Sequence, residues 1–214
     1  MLLLQKPRKT KEDLIRLRTV IDLREHNKNT KKLSSPLLDI KSVLRRVASK
    51  KYKLLIDGKD TYEQIRIIPE HVNRSIFNTL DGTMVSEVMQ LGDCNSRAIY
   101  QALMNHIFQP YLGDWMDIYL DDLVIYSDTI EDHMQHLRTV IDILHKEKFY
   151  LSEHKIQLFQ KELKILGHII NDQGIRMDPH KVDSIQQWKV PTNKDLLQGF
   201  LGSVGYLAPN IPQL

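Results

Sequence analysis

Apolar and polar positions alternate with two different periods along this chain, and the change of period marks its elements. Met1 to Gln5 is a short apolar run, and Lys6 to Glu12 is a charged loop containing Pro7. Leu17 to Leu23, with β-branched Thr19, Val20 and Ile21 at its centre, predicts a strand. Leu38, Ile40, Val43, Leu44 and Val47 recur at helical spacing after Pro36, and Tyr52 to Ile56 predicts a strand that ends on Asp57. Tyr62 to Ile68 alternates like a strand, and Ser75 to Val88 predicts a hairpin around Asp81-Gly82. Ala98, Ala102, Leu103, Ile107 and Phe108 mark a helix within Ser96–Tyr111. Met116 to Ser127 predicts a very apolar hairpin turning on Asp121-Asp122, and Met134, Leu137, Val140, Ile141 and Leu144 place one face of a helix over Thr129–Lys148. Lys155–Phe159 is a further strand, Leu166–Met177 a hairpin turning on Asn171 to Gly174, and two helices over Pro179–Trp188 and Asn193–Leu207 close the series. Hairpins mixed with helices, without strict alternation of the two, indicate an α+β fold with an antiparallel sheet.

Composition narrows the class. The 214 residues are 42% hydrophobic and 27% charged, the balance of an ordinary packed protein. A formal net charge of +3 suits a polyanionic partner without requiring one. The single cysteine, Cys94, excludes an internal disulfide and a zinc site built on several thiolates. The apolar start is too short for a signal-peptide core, and no apolar run reaches the length of a membrane span. His133 and His136 lie three apart on a helix but lack an HExxH string, so a zinc site is not indicated. Both ends read as cut from something longer.

The chemistry concentrates in Met116-Asp117-Ile118-Tyr119-Leu120-Asp121-Asp122-Leu123-Val124-Ile125-Tyr126. Two adjacent carboxylates between apolar strands can be a polar turn, since Asp is common in turns. Two-residue hairpin turns favour Gly or Asn, however, and neighbouring like charges are costly unless a cation joins them. Leu54-Leu55-Ile56-Asp57 is a second apolar strand ending in a carboxylate. Were the two strands neighbours, Asp57 and Asp121 would suit a pair of Mg2+ ions bound by oxygen ligands.

Tyr119-Leu120-Asp121-Asp122 resembles the YxDD box of reverse transcriptases, and Asp57 through Ile67, with Tyr62 five residues after the aspartate, resembles the box that precedes it. Val20-Ile21-Asp22-Leu23-Arg24-Glu25-His26-Asn27 is similar to the VDxRxxN fingers motif. Ile165-Leu166-Gly167-His168-Ile169-Ile170 with Gly174-Ile175 is similar to the FLGHxIxxxGI primer-grip hairpin, and Phe200 to Tyr206 to the helix that follows it in Ty3/gypsy-like long-terminal-repeat retrotransposons. Five boxes in order, from about residue 15 to the end, identify the chain as a member of that group.

The resemblance implies a right-hand polymerase fold: fingers at about 1–50 and 70–90, palm at about 51–69 and 91–164, primer grip and start of thumb at about 165–214. It implies an RNA-directed DNA polymerase, with an inactive remnant that binds nucleic acid as the alternative. Asp57, Asp121 and Asp122 would bind two Mg2+ ions, with Mn2+ as a substitute, and Lys155 would protonate pyrophosphate. Arg18, Tyr62, Leu91 and Gly92 would meet the incoming dNTP, with Tyr62 as the steric gate against a 2′-hydroxyl. Asp22, Arg24, Asn27, Arg66, Tyr119, Gly167 and His168 would face template and primer. Partners would be an RNA or DNA template with its primer, dNTPs, and adjoining RNase H and integrase domains of a parent polyprotein; an N-terminal fingers segment and RNase H would lie outside this chain. The setting would be intracellular, in a cytoplasmic virus-like particle or the nucleus, with no membrane. One departure stands out: Arg97 occupies the place of the family's proline after the pocket loop.

Overall fold

A computed structural model describes residues 2–5, 17–34, 38–58, 60–151, 162–171 and 173–207, with the side chains of 2–5, 17–20, 57, 181, 206 and 207 outside the description. Its centre is a three-stranded antiparallel sheet in the order β3 (Tyr52–Asp57), β7 (Asp122–Ser127), β6 (Met116–Tyr119). β7 lies in the middle and both faces of the sheet are covered, so its residues read as a continuous apolar run. Leu123 and Ile125 join Leu54, Ile56, Met116 and Ile118 in one core cluster, whereas Val124 and Tyr126 join Leu55 in another. The period of two along each strand produces that division.

Two long helices cover the first face. α3 (Ser96–Ile107) contributes Tyr100 and Met104, and α4 (Ile130–Lys146), capped by the Thr129 hydroxyl, contributes Val140 and Leu144. The second face packs on α2 (Ile40–Ser49), whose first amides are capped by Asp39, through Val43, Leu44 and Val47. The same cluster takes in Leu163 and Ile165 of β8 (Leu163–Ile165) and Ile170 of β9 (His168–Asn171), which with β10 (Gly174–Met177) form a second antiparallel sheet. β1 (Leu2–Gln5) pairs with β2 (Leu17–Val20), and β4 (Phe77–Thr79) with β5 (Gly82–Met84). α1 (Arg24–Asn29) follows β2, and α5 (Pro179–Gln186) and α6 (Lys194–Leu207) close the described chain.

The structure corrects several boundaries. β2 ends at Val20, and Arg24 opens a short helix, so Asp22 and Arg24 do not share a strand. The expected strand over Tyr62–Ile68 begins instead as a 3-10 turn, Thr61–Gln64, after Asp60 takes a left-handed conformation at φ 43°. The turn between β4 and β5 centres on Leu80-Asp81, and that between β6 and β7 on Leu120-Asp121, each one residue earlier than expected. The expected strand Lys155–Phe159 lies outside the described residues. Among the described residues no helix is long and apolar enough to cross a membrane.

Candidate active site

Backbone register brings the three aspartates to one end of the central sheet. Asp57 is the last residue of β3 and lies directly opposite Asp122, the first residue of β7, which is in turn opposite Tyr119. Asp121 occupies the turn between them, half-buried, with its Oδ1 shielded from solvent. Three carboxylates supply only hard oxygen donors, the set that suits Mg2+ rather than a soft metal. Among the described side chains no group of three possible metal ligands forms, and that of Asp57 lies outside the description. The convergence of Asp57 with the other two is a property of strand pairing.

The turn itself is strained. Leu120 sits at φ 53°, where an L-residue with a side chain loses about 1–2 kcal/mol. Two hydrogen bonds from α3 hold it: Gln101 Oε1 accepts from the Leu120 amide at 2.7 Å, and Gln101 Nε2 donates to the Ile118 carbonyl at 3.1 Å. At a net value of about 1 kcal/mol each, those bonds offset the strain.

Tyr62 lies beside this turn, 8% exposed, its ring edge-on to Tyr100 at 5.8 Å between centroids. Burial, and next the charge of Asp121, push its phenol up to about 12, while Arg97 pulls the other way. The phenol therefore stays protonated at neutral pH. Arg97 itself stands exposed in the first turn of α3.

A loop over residues 91–95 leads into α3. Gly92 adopts φ 101°, which a residue with Cβ reaches only with strain, and Leu91 packs half-buried on the core. Asn27 clamps this loop: its Nδ2 donates to the Gly92 carbonyl at 2.8 Å, and its Oδ1 accepts from the Cys94 amide at 2.9 Å. Asn95 reaches back to the same segment, donating to the Lys31 carbonyl and accepting from the Leu33 amide, both at 2.9 Å. These four hydrogen bonds tie residues 27–33 to residues 92–95.

The remaining expected residues fall in different places. Asn27, expected to face nucleic acid, spends both ends of its amide on the loop. Asp22 and Arg24 pair with each other, with Arg24 Nη2 2.6 Å from Asp22 Oδ2; that partner holds the Asp22 carboxyl at about 2. His168 is buried and bonds through Nδ1 to the Leu166 carbonyl at 2.9 Å, so it braces its own turn rather than presenting a ring to a nucleic acid. Gly167 lies in that turn at φ 70°. Tyr119 is half-buried at the end of β6, and Arg66 is exposed beside Ile67 and Glu87. The backbone of Arg18 pairs with Leu4 in β1, its side chain and all of Lys155 lying outside the description. Gln101 was not legible as a site residue, because a polar residue on a helix ordinarily reads as a solvent face.

Another polar cluster sits at the far end of β7. Ser127 Oγ lies 3.0 Å from His133 Nδ1 and 2.9 Å from His136 Nδ1, and the His136 ring stacks on Trp115 at 4.1 Å. Burial lowers the pKa of both histidines. Closer to the site, Asp117 of β6, 1% exposed, receives a two-pronged bond from Arg46 at 2.8 and 2.9 Å and a third from the Tyr126 hydroxyl at 2.9 Å.

Comparison with known proteins bears on the family and fold. Residues 7–170 match the family described as Reverse transcriptase (RNA-dependent DNA polymerase). The retrovirus-related Pol polyprotein from transposon 297 of Drosophila melanogaster is 31% identical over 195 residues, covering 91% of this chain and 18% of that protein. The Pol polyprotein from transposon gypsy of the same species is 28% identical over 189 residues, covering 88% and 18%. The transposon Tf2-3 polyprotein of Schizosaccharomyces pombe is 28% identical over 197, covering 92% and 15%. This chain therefore spans less than a fifth of the length of these relatives. Among solved structures, the foamy viral protease-reverse transcriptase in complex with an RNA/DNA hybrid superposes with a TM-score of 0.74 at 24% identity, over 89% of this chain and 26% of that one. The dRH form of that protein in complex with double-stranded DNA gives 0.78 at 23% identity, over 95% and 35%. With a palm-type sheet, an ordered run of boxes and a family match across most of its length, this chain belongs to the reverse transcriptase family, on the branch of the Ty3/gypsy-type retrotransposon polyproteins.

Proposed function

We propose that this chain is the fingers, palm and primer-grip part of an RNA-directed DNA polymerase that extends a primer 3′-hydroxyl on an RNA or DNA template and releases pyrophosphate. The observation that carries the reading is the register that sets Asp57 opposite Asp122, with Asp121 in the adjoining turn. Asp57 and Asp121, with Asp122 beside them, would hold two Mg2+ ions, or Mn2+ in their place, and such ions when bound supply activation of the primer hydroxyl and charge neutralisation on the triphosphate. Tyr62, neutral and fixed against Tyr100, forms the wall on which a deoxyribose stacks and a 2′-hydroxyl collides. Asn27 and Asn95 hold the Gly92 loop in the shape that receives the base pair. Lys155 and Arg18 are assigned to pyrophosphate protonation and triphosphate contact by their positions in the family's boxes. The polyprotein relatives support adjoining domains in a parent protein; we read these as RNase H and integrase, and an intracellular setting, in a cytoplasmic particle or the nucleus, goes with that reading.

Primer extension on poly(rA)/oligo(dT) with dTTP and Mg2+ tests it. Metal-dependent extension is expected, falling at least about a hundredfold in Asp121→Asn. Extension that survives Asp121→Asn removes the acidic site from the chemistry. A second reading, a fold that binds nucleic acid without turnover, is favoured by one observation: Arg97 puts a positive charge beside Tyr62. Folded protein that binds the hybrid, extends nothing, and gains extension in Arg97→Pro would decide for it.

A further inference from the structure

The face of α3 turned to the sheet carries Tyr100, Met104 and, just past the helix end, Phe108, and among these apolar side chains lies Gln101, each of the four at most 1% exposed. A buried primary amide is tolerated only where its donors and acceptor are met. Those of Gln101 are: besides the bonds to Leu120 and Ile118, its Nε2 donates to Asn105 Oδ1 at 2.8 Å. The orientation of the amide follows from its backbone partners, because only an oxygen can meet the Leu120 N–H and only the amide nitrogen can meet the Ile118 carbonyl. Both partners flank Tyr119 in the acidic hairpin, and neither Gly nor Asn stands in the turn to take up the positive φ of Leu120.

We propose that Gln101 is a positioning residue for the acidic turn: its amide holds Leu120 in the left-handed conformation and so sets where the Asp121 carboxylate stands relative to Asp57 and Asp122. This rests on the assignment of these aspartates as the metal-holding set. The leverage is mechanical. Rotation about φ of Leu120 swings the next residue, Asp121, while Tyr119 stays paired in β6. Tyr62 also packs edge-on to Tyr100, and the Gly92 loop is held by Asn27, so the clamp acts first on the acidic turn.

The test is a double-mutant cycle on the full chain: Gln101→Met, which keeps the length of the side chain and removes its hydrogen bonds, and Leu120→Gly, because glycine takes positive φ without steric cost. Three quantities are read: Mn2+ affinity by calorimetry, amide hydrogen exchange at position 120, and kcat and dNTP KM in primer extension. Gln101→Met is expected to weaken Mn2+ binding about tenfold and kcat about a hundredfold, with KM within about threefold, since an ångström of misplacement is enough for such a loss. Exchange at Leu120 should quicken. In the Leu120→Gly background the same Gln101→Met change should cost no more than about threefold in Mn2+ affinity or kcat. Equal losses in both backgrounds overturn the proposal, as does a Gln101→Met protein with unchanged Mn2+ affinity. A Gln101→Met protein that fails to fold in both backgrounds also overturns it, leaving Gln101 as core alone. If the parent chain extends no primer, the polymerase reading fails, while Mn2+ affinity decides the clamp by itself. If it also binds no Mn2+, the exchange rate at Leu120 decides.

Discussion

The β6–β7 hairpin and the β8–β9 hairpin each reverse over two residues, Leu120-Asp121 and Leu166-Gly167. In the second, both central residues have positive φ, 48° and 70°, the pattern whose twist matches paired strands and for which glycine is suited. Its support is local: His168 bonds to the Leu166 carbonyl two residues away, and the Gly167 carbonyl accepts from Asp178 where α5 begins. In the first, only the leading central residue has positive φ, the place where such a turn prefers glycine, and that residue is a leucine. Its support comes from 19 residues upstream, through Gln101. A turn that carries no metal-holding carboxylate encodes its own geometry. A turn that must carry a carboxylate gives up that freedom and is held by a neighbouring helix, as strain at functional sites generally requires.

α2 lies against both hairpins through Val124 and Tyr126 on one side and Leu163, Ile165 and Ile170 on the other, and Arg46 ties it to Asp117. Arg46→Ala should therefore have the largest effect on stability, about 3 kcal/mol in urea unfolding, because it strips a buried carboxylate of its counter-charge. Replacing both partners, Arg46→Met with Asp117→Leu, should cost less than the single change. A loss under about 1 kcal/mol in Arg46→Ala would mean that the pair behaves as a surface one and does not join the hairpins.

Gly167→Ala separates the two turns. Forcing a Cβ into φ 70° should cost about 1–2 kcal/mol in the same assay. Hydrogen exchange at Leu120 should remain as in the parent chain. Faster exchange there would show that the acidic turn also leans on its neighbour.

A smaller effect is expected at the loop that Asn27 holds. Asn27→Asp keeps an acceptor for the Cys94 amide and loses the donor to the Gly92 carbonyl. The dNTP KM should rise about five- to tenfold with kcat within about threefold, the signature of lost binding rather than lost chemistry. An equal fall in kcat would place the loop in the same mechanical unit as the turn.

These contrasts also explain what was legible in the sequence. β3, β6, β7 and α4 stand out because apolar runs and helical periodicity are strong over their lengths, and an aspartate ending an apolar strand is visible by inspection. That β3 and β7 are neighbours is a tertiary fact, which the family boxes supplied and periodicity did not. The turn position was misplaced by one residue because leucine is a poor candidate for positive φ. The inward face of α3 was expected through Ala98, Ala102, Leu103, Ile107 and Phe108, yet Ala102 is exposed while Tyr100, Gln101 and Met104 are buried. A glutamine inside an apolar face disguises that face, and the disguise covers the very residue that holds the site. The same happened on α4, where Met134 and Ile141 are exposed and His133 is buried.

His133 leads to the smallest prediction, a pH dependence confined to the first sheet. Ser127, the last residue of β7, has one hydroxyl proton and faces two Nδ1 atoms, so it donates to one ring and must accept an Nδ1–H from the other. A ring that accepts the hydroxyl proton at Nδ1 must be neutral. Burial lowers the pKa of His133, and His136 adds to it; burial lowers that of His136 as well, opposed by Asp132 and Asp114. With folded-state values below the ordinary 6.5, the unfolded chain binds more protons as pH falls below that point, and stability must fall with it. The melting temperature should be level above about pH 7.5 and decline as pH falls below about 6.5. His136→Phe, which retains a ring on Trp115, should flatten that decline by removing one of the two groups. An unchanged slope would move the acid sensitivity away from the Ser127 cluster. A slope that steepens would mean that His136 had been shielding His133 from protonation, because the ring that shares its hydroxyl would be gone.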